Sequence, residues 1–292
     1  MQDFSPPYGE IEEISPLIRR ITAPNPSLYT FKGTGTYIIG RGDVAVIDPG
    51  PNMSTHHDAI ITELGDEKIT HILVTHNHKD HSPGARPLAT SSGAKIYAFD
   101  VGNQLYSAEE AEEGLDKDFF PDVILKNNDE IKGNNWTIDV VHTPGHLSNH
   151  ICFGLREEKA LFTGDHVMGW STTLISPPDG SMQDYYNSLN MMMTRDDKIY
   201  YPTHGLPIEN PLSFIKNTLE HRLNRDKEIM HALKGQRYSI KDLVGIVYPD
   251  LSKNLHDAAR RTILAHLIRL VALGELESDG QPSESSIYYR KQ

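Results

Sequence analysis

Short apolar runs bounded by glycine alternate with one helical pattern in the first third of the chain. The runs GTGTYIIG (33–40) and DVAVIDPG (43–50) predict two strands joined by a tight turn. Helical spacing of apolar residues follows in THHDAIITELG (55–65), before KITHILVTH (68–76) returns to a strand pattern. The order strand, helix, strand is typical of layered α/β folds.

The same pattern continues to about residue 205. GAKIYAFD (93–100) predicts a strand, and residues 102–120 predict an acidic amphipathic insertion. Residues 129–146 and 150–166 each predict a hairpin, and DKIYYPTHG (197–205) predicts a further strand. A polar residue with metal-binding chemistry follows each of these last strands, which is where α/β folds place their sites.

From about residue 211 the pattern becomes helical. Three helices are predicted, followed by two strand-like pieces that can form a hairpin: 211–235, 239–248, 255–276, then 274–278 with 285–290. This set of elements is typical of a winged-helix module. We therefore predict two domains, a catalytic domain over 1–215 and a winged-helix-like domain over 216–292.

The net charge of −12 over 292 residues is unevenly distributed. Residues 217–292 hold 12 basic and 10 acidic side chains, which leaves a net charge of −14 on residues 1–216. A catalytic part with this net negative charge does not attract polyanions through its overall electrostatic field. A phosphate-bearing substrate would have to be held by metal ions or by local basic groups.

Three features favour a cytoplasmic protein. The first residues, MQDFSPPYGEIEE, lack the basic start and apolar run of an export signal. No stretch approaches the 18 to 20 or so apolar residues of a membrane span. Cys152 is the single cysteine, so an intramolecular disulfide is excluded, and its position in HICFGL predicts a small buried side chain.

The loop VTHNHKDH (74–81) concentrates groups that bind metal ions. Imidazole and carboxylate suit zinc in a hydrolytic site that keeps one position open for water. Three further candidates follow strands downstream, in the sequences TPGH, TGDH and PTHG. The candidate ligands are His76, His78, Asp80, His81, His146, Asp165 and His204.

The motif H-x-H-x-D-H, followed in order by the histidine, aspartate and histidine of these three sequences, resembles the metallo-β-lactamase fold superfamily over residues 15–210. The resemblance implies a four-layer αββα sandwich and a site with two zinc ions. The same ligands accept iron or manganese. In this assignment one ion is held by His76, His78 and His146, the other by Asp80, His81 and His204, and Asp165 bridges them.

The resemblance also implies roles around the ligands. Asp48, in VIDPG, would orient a ligand histidine by a hydrogen bond. Hydroxide held by the two metals would attack the substrate, and Asp80 would orient or deprotonate it as the catalytic residue. His150 and His166, next to the motifs, are expected to pack beside the ligands.

The C-terminal part resembles the winged-helix tail of the β-lactamase-like endoribonuclease group, on the strength of EHRLNRDKEI (220–229) and the two helical stretches after it. PPDGSMQDYYNSL (177–189) is also similar to a linker of that group. The leading hypothesis is therefore a cytoplasmic zinc phosphodiesterase that cleaves single-stranded RNA. Four basic residues of this part would then contact phosphate or belong to a solvated helix face: Lys253, Arg260, Arg261 and Arg269.

Two alternatives stay open, because fold and metals do not choose a substrate. The first is a hydrolase of a small thioester, lactone, ester or β-lactam. Ser148-Asn149 stands where thioester-hydrolysing relatives of the glyoxalase II type have Thr-x-Gly, which weakens the thioester prediction. The second is a nucleic-acid or protein binding module with a vestigial metal site.

Tyr185 and Tyr186 would line the substrate entrance or pack within a helix.

Overall fold

The structure is a computed structural model that describes residues 4–102 and 114–290. Most of the predicted acidic insertion 102–120 lies outside the described residues. The chain forms two compact units: residues up to Thr143 with Asn149–Thr172 and Arg195–Pro211, and Pro144–Ser148 with Thr173–Thr194 and residues from Leu212 onward. The domain boundary after residue 215 stays a prediction.

The first unit contains a seven-stranded sheet. Its strands lie side by side in chain order: β1 (Ile11–Glu13), β2 (Ile18–Thr22), β3 (Gly35–Ile39), β4 (Asp43–Ile47), β5 (Lys68–Leu73), β6 (Lys95–Phe99) and β7 (Val123–Leu125). Strands β1 to β4 pair antiparallel, and β4 to β7 pair parallel. Helices α1 (Ser54–Leu64) and α2 (Ala85–Ser92) make the first two parallel connections.

A second sheet of five strands has the order β12-β11-β10-β9-β8. Its strands are β8 (Glu130–Lys132), β9 (Thr137–His142), β10 (Ile151–Leu155), β11 (Ala160–Gly164) and β12 (Ile199–Pro202). The two predicted hairpins are confirmed as the antiparallel pairs β8 with β9 and β10 with β11. Strand β12 returns parallel to β11.

Strand β4 shows how the layers are built. Ala45 and Ile47 belong to the apolar cluster that joins the two sheets, whereas Val44 and Val46 belong to the cluster under α1 and α2. Successive side chains of a strand point to opposite faces, so a strand buried on both faces is apolar throughout. The run DVAVI therefore serves two cores at once, as the predicted α/β sandwich requires.

The strand register brings separate loops to one edge. Ile47 pairs with Leu73 at the ends of parallel β4 and β5, so Asp48 comes close to Thr75. Gly164 pairs with Pro202 at the ends of β11 and β12. The residues that follow these four strands are therefore neighbours, although up to 155 positions separate them in the chain.

The second unit is mostly helical, with α3 (Met182–Met192), α4 (Pro211–Ala232), α5 (Ile240–Val247) and α6 (His256–Ala272). The predicted terminal hairpin is present as β14 (Glu277–Ser278) and β15 (Ile287–Tyr289), and a third strand, β13 (Arg237–Ser239), completes a small sheet. Leu243, Ile263 and Tyr288 lie in its core. No helix among the described residues is long and apolar enough to cross a membrane.

His56 in the first turn of α1 is buried and holds one fixed tautomer. The Thr36 hydroxyl donates to the Asp48 carbonyl at 2.7 Å, and its oxygen therefore accepts the Nε2 proton of His56 at 2.8 Å. Burial and, to a smaller extent, the neighbouring His57 lower the pKa of His56 from 6.5 to about 4. His56 is therefore neutral in the folded protein at neutral pH.

This pKa predicts a loss of stability in acid. The unfolded chain takes up a proton at His56 below pH 6.5 and the folded chain only near pH 4, so stability present above pH 6.5 is lost as the pH falls toward 4. The shift corresponds to on the order of 3 kcal/mol. Chemical unfolding of wild type and His56→Gln at several pH values should show a shallower loss in the variant, because glutamine donates to Thr36 without titrating.

His57→Gln is the control for this experiment, because the His57 side chain is partly exposed. It should keep most of the wild-type pH dependence, because burial lowers the pKa of His56 more than His57 does. Equal pH dependence in wild type and His56→Gln would contradict the assigned burial of the neutral ring.

Candidate metal centre

The buried carboxylate of Asp48 organises the edge where the strands end. It accepts hydrogen bonds from the Thr75 backbone N–H at 2.8 Å and from the Thr75 hydroxyl at 2.8 Å. It also accepts from His81 Nδ1 at 2.9 Å and from the Thr203 hydroxyl at 3.0 Å. Asp48 thus joins loops that follow β4, β5 and β12, and the supporting hydrogen bond predicted from the sequence is present.

Three of the predicted ligand histidines have their ring orientation fixed in the same way. His81 Nδ1 faces the Asp48 carboxylate, His204 Nδ1 faces the carbonyl of Gly33 at 3.1 Å, and His146 Nδ1 faces the carbonyl of Leu174 at 2.7 Å. Carboxylates and carbonyls only accept hydrogen bonds, so each ring carries its proton on Nδ1. A metal ion that binds these rings would therefore do so through Nε2.

Asp80, His81 and His204 form one group of possible ligands. The Asp80 Oδ2 atom lies 3.2 Å from His81 Nε2 and 3.0 Å from His204 Nε2, yet neither nitrogen makes a hydrogen bond of ordinary geometry. Zinc bonds of about 2.05 Å in a tetrahedron separate ligand atoms by about 3.3 Å. These spacings therefore fit a shared ion.

His76, His78, His146 and Asp165 form the other group, with one ligand atom each within 4.8 Å of the others. His76 Nε2 and His78 Nδ1 are 2.9 Å apart. The Asp165 carboxylate also reaches the first group, at 3.5 Å from His81 Nε2 and 3.3 Å from His204 Nε2. Asp165 is thus close to both groups, the position that a bridging ligand needs.

The charges of the site favour a bound cation. Burial by itself would lower the pKa of His204, but the carboxylates of Asp165 and Asp80 raise it to about 9. Burial would also lower the pKa of His81, but the carboxylates of Asp80, Asp165 and Asp48 together raise it well above its usual range. Burial acts against ionisation of Asp80, yet the two histidines hold its pKa well below the usual value. A divalent cation would replace these protons as the counter-charge.

A chain of hydrogen bonds supports Asp165 from behind. Its backbone N–H donates to His150 Nε2 at 3.2 Å, so His150 carries its proton on Nδ1 and donates to the Thr143 hydroxyl at 2.9 Å. That hydroxyl lies 3.2 Å from Cys152 Sγ, and the thiol donates to the Thr163 carbonyl at 3.6 Å. Burial raises the pKa of Cys152 to about 12, which keeps it a thiol.

Gly164 is required for this arrangement. Its φ is +50°, and a Cβ atom there would lie 2.6 Å from His150 Nε2. Any other residue would be strained and would push the ring away from the Asp165 backbone. The glycine of the TGDH sequence therefore serves the support of the aspartate that follows it.

All seven predicted ligands fall into the two groups that the sequence resemblance implied, and whether they bind metal stays a proposal. The sequence reasoning missed several supporting groups: the hydroxyl of Thr143, the ring of His56 and the carbonyls of Gly33 and Leu174. A carbonyl has no signature in a sequence. Thr143 is the first residue of the TPGH sequence, and only this place in the motif could have drawn attention to it.

Comparison with known proteins identifies two regions of the chain. Residues 29–204 match the sequence profile of the Metallo-beta-lactamase superfamily, which spans all seven candidate ligands. Residues 239–284 match the Beta-lactamase associated winged helix domain. The predicted fold class, an α/β sandwich followed by a winged helix, is confirmed.

Two curated relatives match over most of their length. An atrochrysone carboxyl ACP thioesterase of Cryptosporiopsis sp. is 30% identical over 246 residues, covering 82% of this chain and 70% of the relative. An atrochrysone carboxyl ACP thioesterase of Aspergillus terreus is 29% identical over 293 residues, covering 95% and 85%. Among solved structures, a beta-lactamase domain protein of Burkholderia ambifaria has a TM-score of 0.84 at 21% identity, covering 99% of this chain and 96% of that one.

The position of Asp48 predicts the effect of replacing it. Asp48→Asn puts an amide N–H₂ among groups that already donate, so the ring of His81 loses its support. We expect metal affinity to fall by about 10- to 100-fold, as for other partners of metal-bound histidines. Titration of the metal-free protein against a chromophoric chelator measures this, with exposed Asp58→Asn as the control. Wild-type affinity in Asp48→Asn would show that His81 needs no such partner.

Proposed function

The chain belongs to the metallo-beta-lactamase superfamily, and from this premise we propose that it is a metal-dependent hydrolase of thioesters. The observation that carries the proposal is the similarity to two proteins named as ACP thioesterases, one of which aligns with 95% of the chain. That alignment includes the C-terminal helices as well as the ligand loops. The thioester alternative raised by the sequence thus becomes the leading one.

We propose that the seven candidate ligands hold two metal ions, with zinc as the preferred ion. Nitrogen and oxygen ligands with spacings near 3.3 Å suit tetrahedral zinc, although the same donor set accepts iron and manganese. Bound as a pair, such ions supply Lewis-acid polarisation of the substrate carbonyl and lower the pKa of water. The remaining work falls to the side chains.

Asp80 is the proposed catalytic residue because of its exposure. Its side chain is 16% exposed, whereas His81, His204 and Asp165 are 5% exposed or less. It is therefore the member of its group that an incoming water and a substrate can reach. The carboxylate, whose counter-charge would then be the bound cation, would accept a hydrogen bond from that water and aim its oxygen at the substrate carbonyl.

The charge and the leaving group both favour a thioester over RNA. The acidic residues 1–216, with a net charge of −14, oppose the approach of a polyanion. A thiol has a pKa near 8.5, so a thiolate leaves without help, whereas the alkoxide released from RNA requires a proton donor. Ser148-Asn149, the departure from the glyoxalase II pattern, is the sequence feature that weighs against a thioester.

Cleavage of single-stranded RNA in the cytoplasm is the second candidate, and the winged-helix match favours it. Winged helices belong to the helix-turn-helix class of nucleic-acid readers. A binding module with a vestigial metal site is the third. It predicts neither bound metal nor turnover.

One activity panel separates these candidates. Metal-defined protein should be given an acyl thioester, a lactone, an ester, a β-lactam and an unstructured oligoribonucleotide, and kcat/KM compared. We expect the thioester to give the highest value. A higher value for another carbonyl compound would shift the substrate class, and RNA cleavage above the thioester rate would overturn the proposal.

Metal removal and one substitution identify the site responsible. Dialysis against a chelator should abolish thioester hydrolysis, and added zinc should restore it. Asp80→Asn should lower kcat by about 10² to 10⁴, the range for a group that assists proton transfer. Activity that survives both changes would belong to a contaminant or to a different site.

A further inference from the structure

The second unit holds a cluster of charged groups in its interior. The carboxylate of Asp226, on α4, accepts hydrogen bonds from the Tyr186 hydroxyl at 2.9 Å, His266 Nδ1 at 2.7 Å and Arg269 Nη1 at 3.0 Å. The guanidinium of Arg269 also lies over the Tyr186 ring. The cluster ties α4 to α3 and α6. Arg269 is therefore paired with Asp226 within the unit, and its contact with phosphate stays a hypothesis.

Arg222 lies one helical turn before Asp226 on the same helix, and the residue is only 2% exposed. Its Nη2 atom donates to the carbonyl of Thr173 at 2.5 Å. Its guanidinium lies 5.7 Å from the ring centre of Tyr185. Tyr185 and Tyr186 are both buried, so neither lines a substrate entrance. A buried carbonyl without a donor is costly, and Arg222 supplies one to Thr173.

The segment that Arg222 holds is the one that orients His146. The Leu174 carbonyl accepts the Nδ1 proton of His146 at 2.7 Å, and the Thr173 hydroxyl lies 3.3 Å from the same nitrogen. Arg222 therefore acts on the backbone between two groups that contact the ring. A displacement of this backbone would turn or release the imidazole.

Helix α3 and its N-cap residue Ser181 hold the two residues that precede His146 in the chain. The Ser181 N–H donates to the Gly145 carbonyl at 2.8 Å, and the Ser188 hydroxyl donates to the Pro144 carbonyl at 2.7 Å. Gly145 has a φ of +147°, and a Cβ atom there would lie 2.6 Å from the Tyr185 Cα atom. The turn before His146 is thus fixed against the helix that Asp226 secures through Tyr186.

We propose that Arg222 is a positioning residue for His146 and that the Asp226 cluster keeps Arg222 in place. Through them, helices α4 and α6, outside the region matched by the Metallo-beta-lactamase profile, set the orientation of one ligand. This inference rests on the proposed metal site. It gives the C-terminal helices a role in building the centre, independent of any binding of nucleic acid.

The test compares three substitutions on one helix. Arg222→Met keeps the length of the side chain and removes its donors, whereas Arg222→Lys keeps a donor. Arg225→Met is the matched control, because Arg225 is also on α4 and pairs with Glu228. For each full-length protein, metal content per chain and the affinity of each metal equivalent are measured by chelator competition, and thermal unfolding is measured without metal.

We expect Arg222→Met to bind one metal equivalent normally and the other about 10- to 100-fold more weakly, as when the partner of a ligand histidine is lost. Arg222→Lys should recover part of the loss, and Arg225→Met should bind both equivalents as wild type does. Long-range ¹H–¹⁵N spectra of the metal-free protein should show the Nδ1–H tautomer of His146 in wild type and Arg222→Lys, and a mixture of tautomers in Arg222→Met.

Two results would overturn the inference. One is wild-type affinity for both equivalents in Arg222→Met. The other is a uniform loss of both equivalents that follows the drop in unfolding temperature, which would mark a merely structural role. Wild-type protein that binds no metal and hydrolyses no thioester would instead refute the proposed function, so the two failures are distinguishable.

Asp226→Asn tests the second half of the inference. The amide keeps the size of the carboxylate but cannot satisfy the three donors that converge on it. We expect the same selective weakening of one metal equivalent, smaller than in Arg222→Met because Arg222 retains its bond to Thr173. Wild-type tautomer and affinity in Asp226→Asn would limit the positioning role to Arg222.

Discussion

The carboxylate of Asp48 is the group on which the candidate centre depends most. It is fully buried and accepts hydrogen bonds from Thr75 and His81, which follow β5, and from Thr203, which follows β12. A buried carboxylate is tolerated only when its oxygens are satisfied, so the loops have to arrive together. The parallel register of β4 and β5 makes this possible. The fold and the orientation of the ligand imidazole are thus fixed by the same interaction.

Much of the site could be predicted because its signals are local. Three histidines and an aspartate within six positions, and glycine-bounded turns after strands, are visible in a sequence. The strands β1, β2 and β7 escaped prediction, because IRRIT places two arginines in a buried strand and VIL is too short to show a period. Arg222 escaped for a different reason: its partner is a backbone carbonyl 49 positions away. Contacts of this kind are set by tertiary packing alone.

The two kinds of evidence about substrate have different physical bases. The candidate ligand set suits hydrolysis but does not identify the bond that is cleaved, since the same groups act on carbonyl and phosphoryl compounds. The net charge of the chain discriminates better between these two classes of substrate. An acidic first unit disfavours a polyanion, and overall similarity to thioesterases points the same way. The winged-helix part need not imply nucleic acid, because its helix α6 joins α4 in an internal network of charges around Asp226.

The pairing of β11 with β12 has a consequence for how such a protein can change. Gly164 and Pro202 are neighbours in parallel strands; Asp165 follows Gly164 directly, and His204 lies two positions after Pro202. A deletion of one residue inside either strand would turn its side chains to the opposite face and separate the two groups. The connection between these strands carries a second constraint, because Thr173, Leu174 and Ser188 within it contact His146 or the turn before it. Inheritance of the centre therefore constrains spacing within the strands and around these contacts, while length changes elsewhere in the connection leave the strand register untouched.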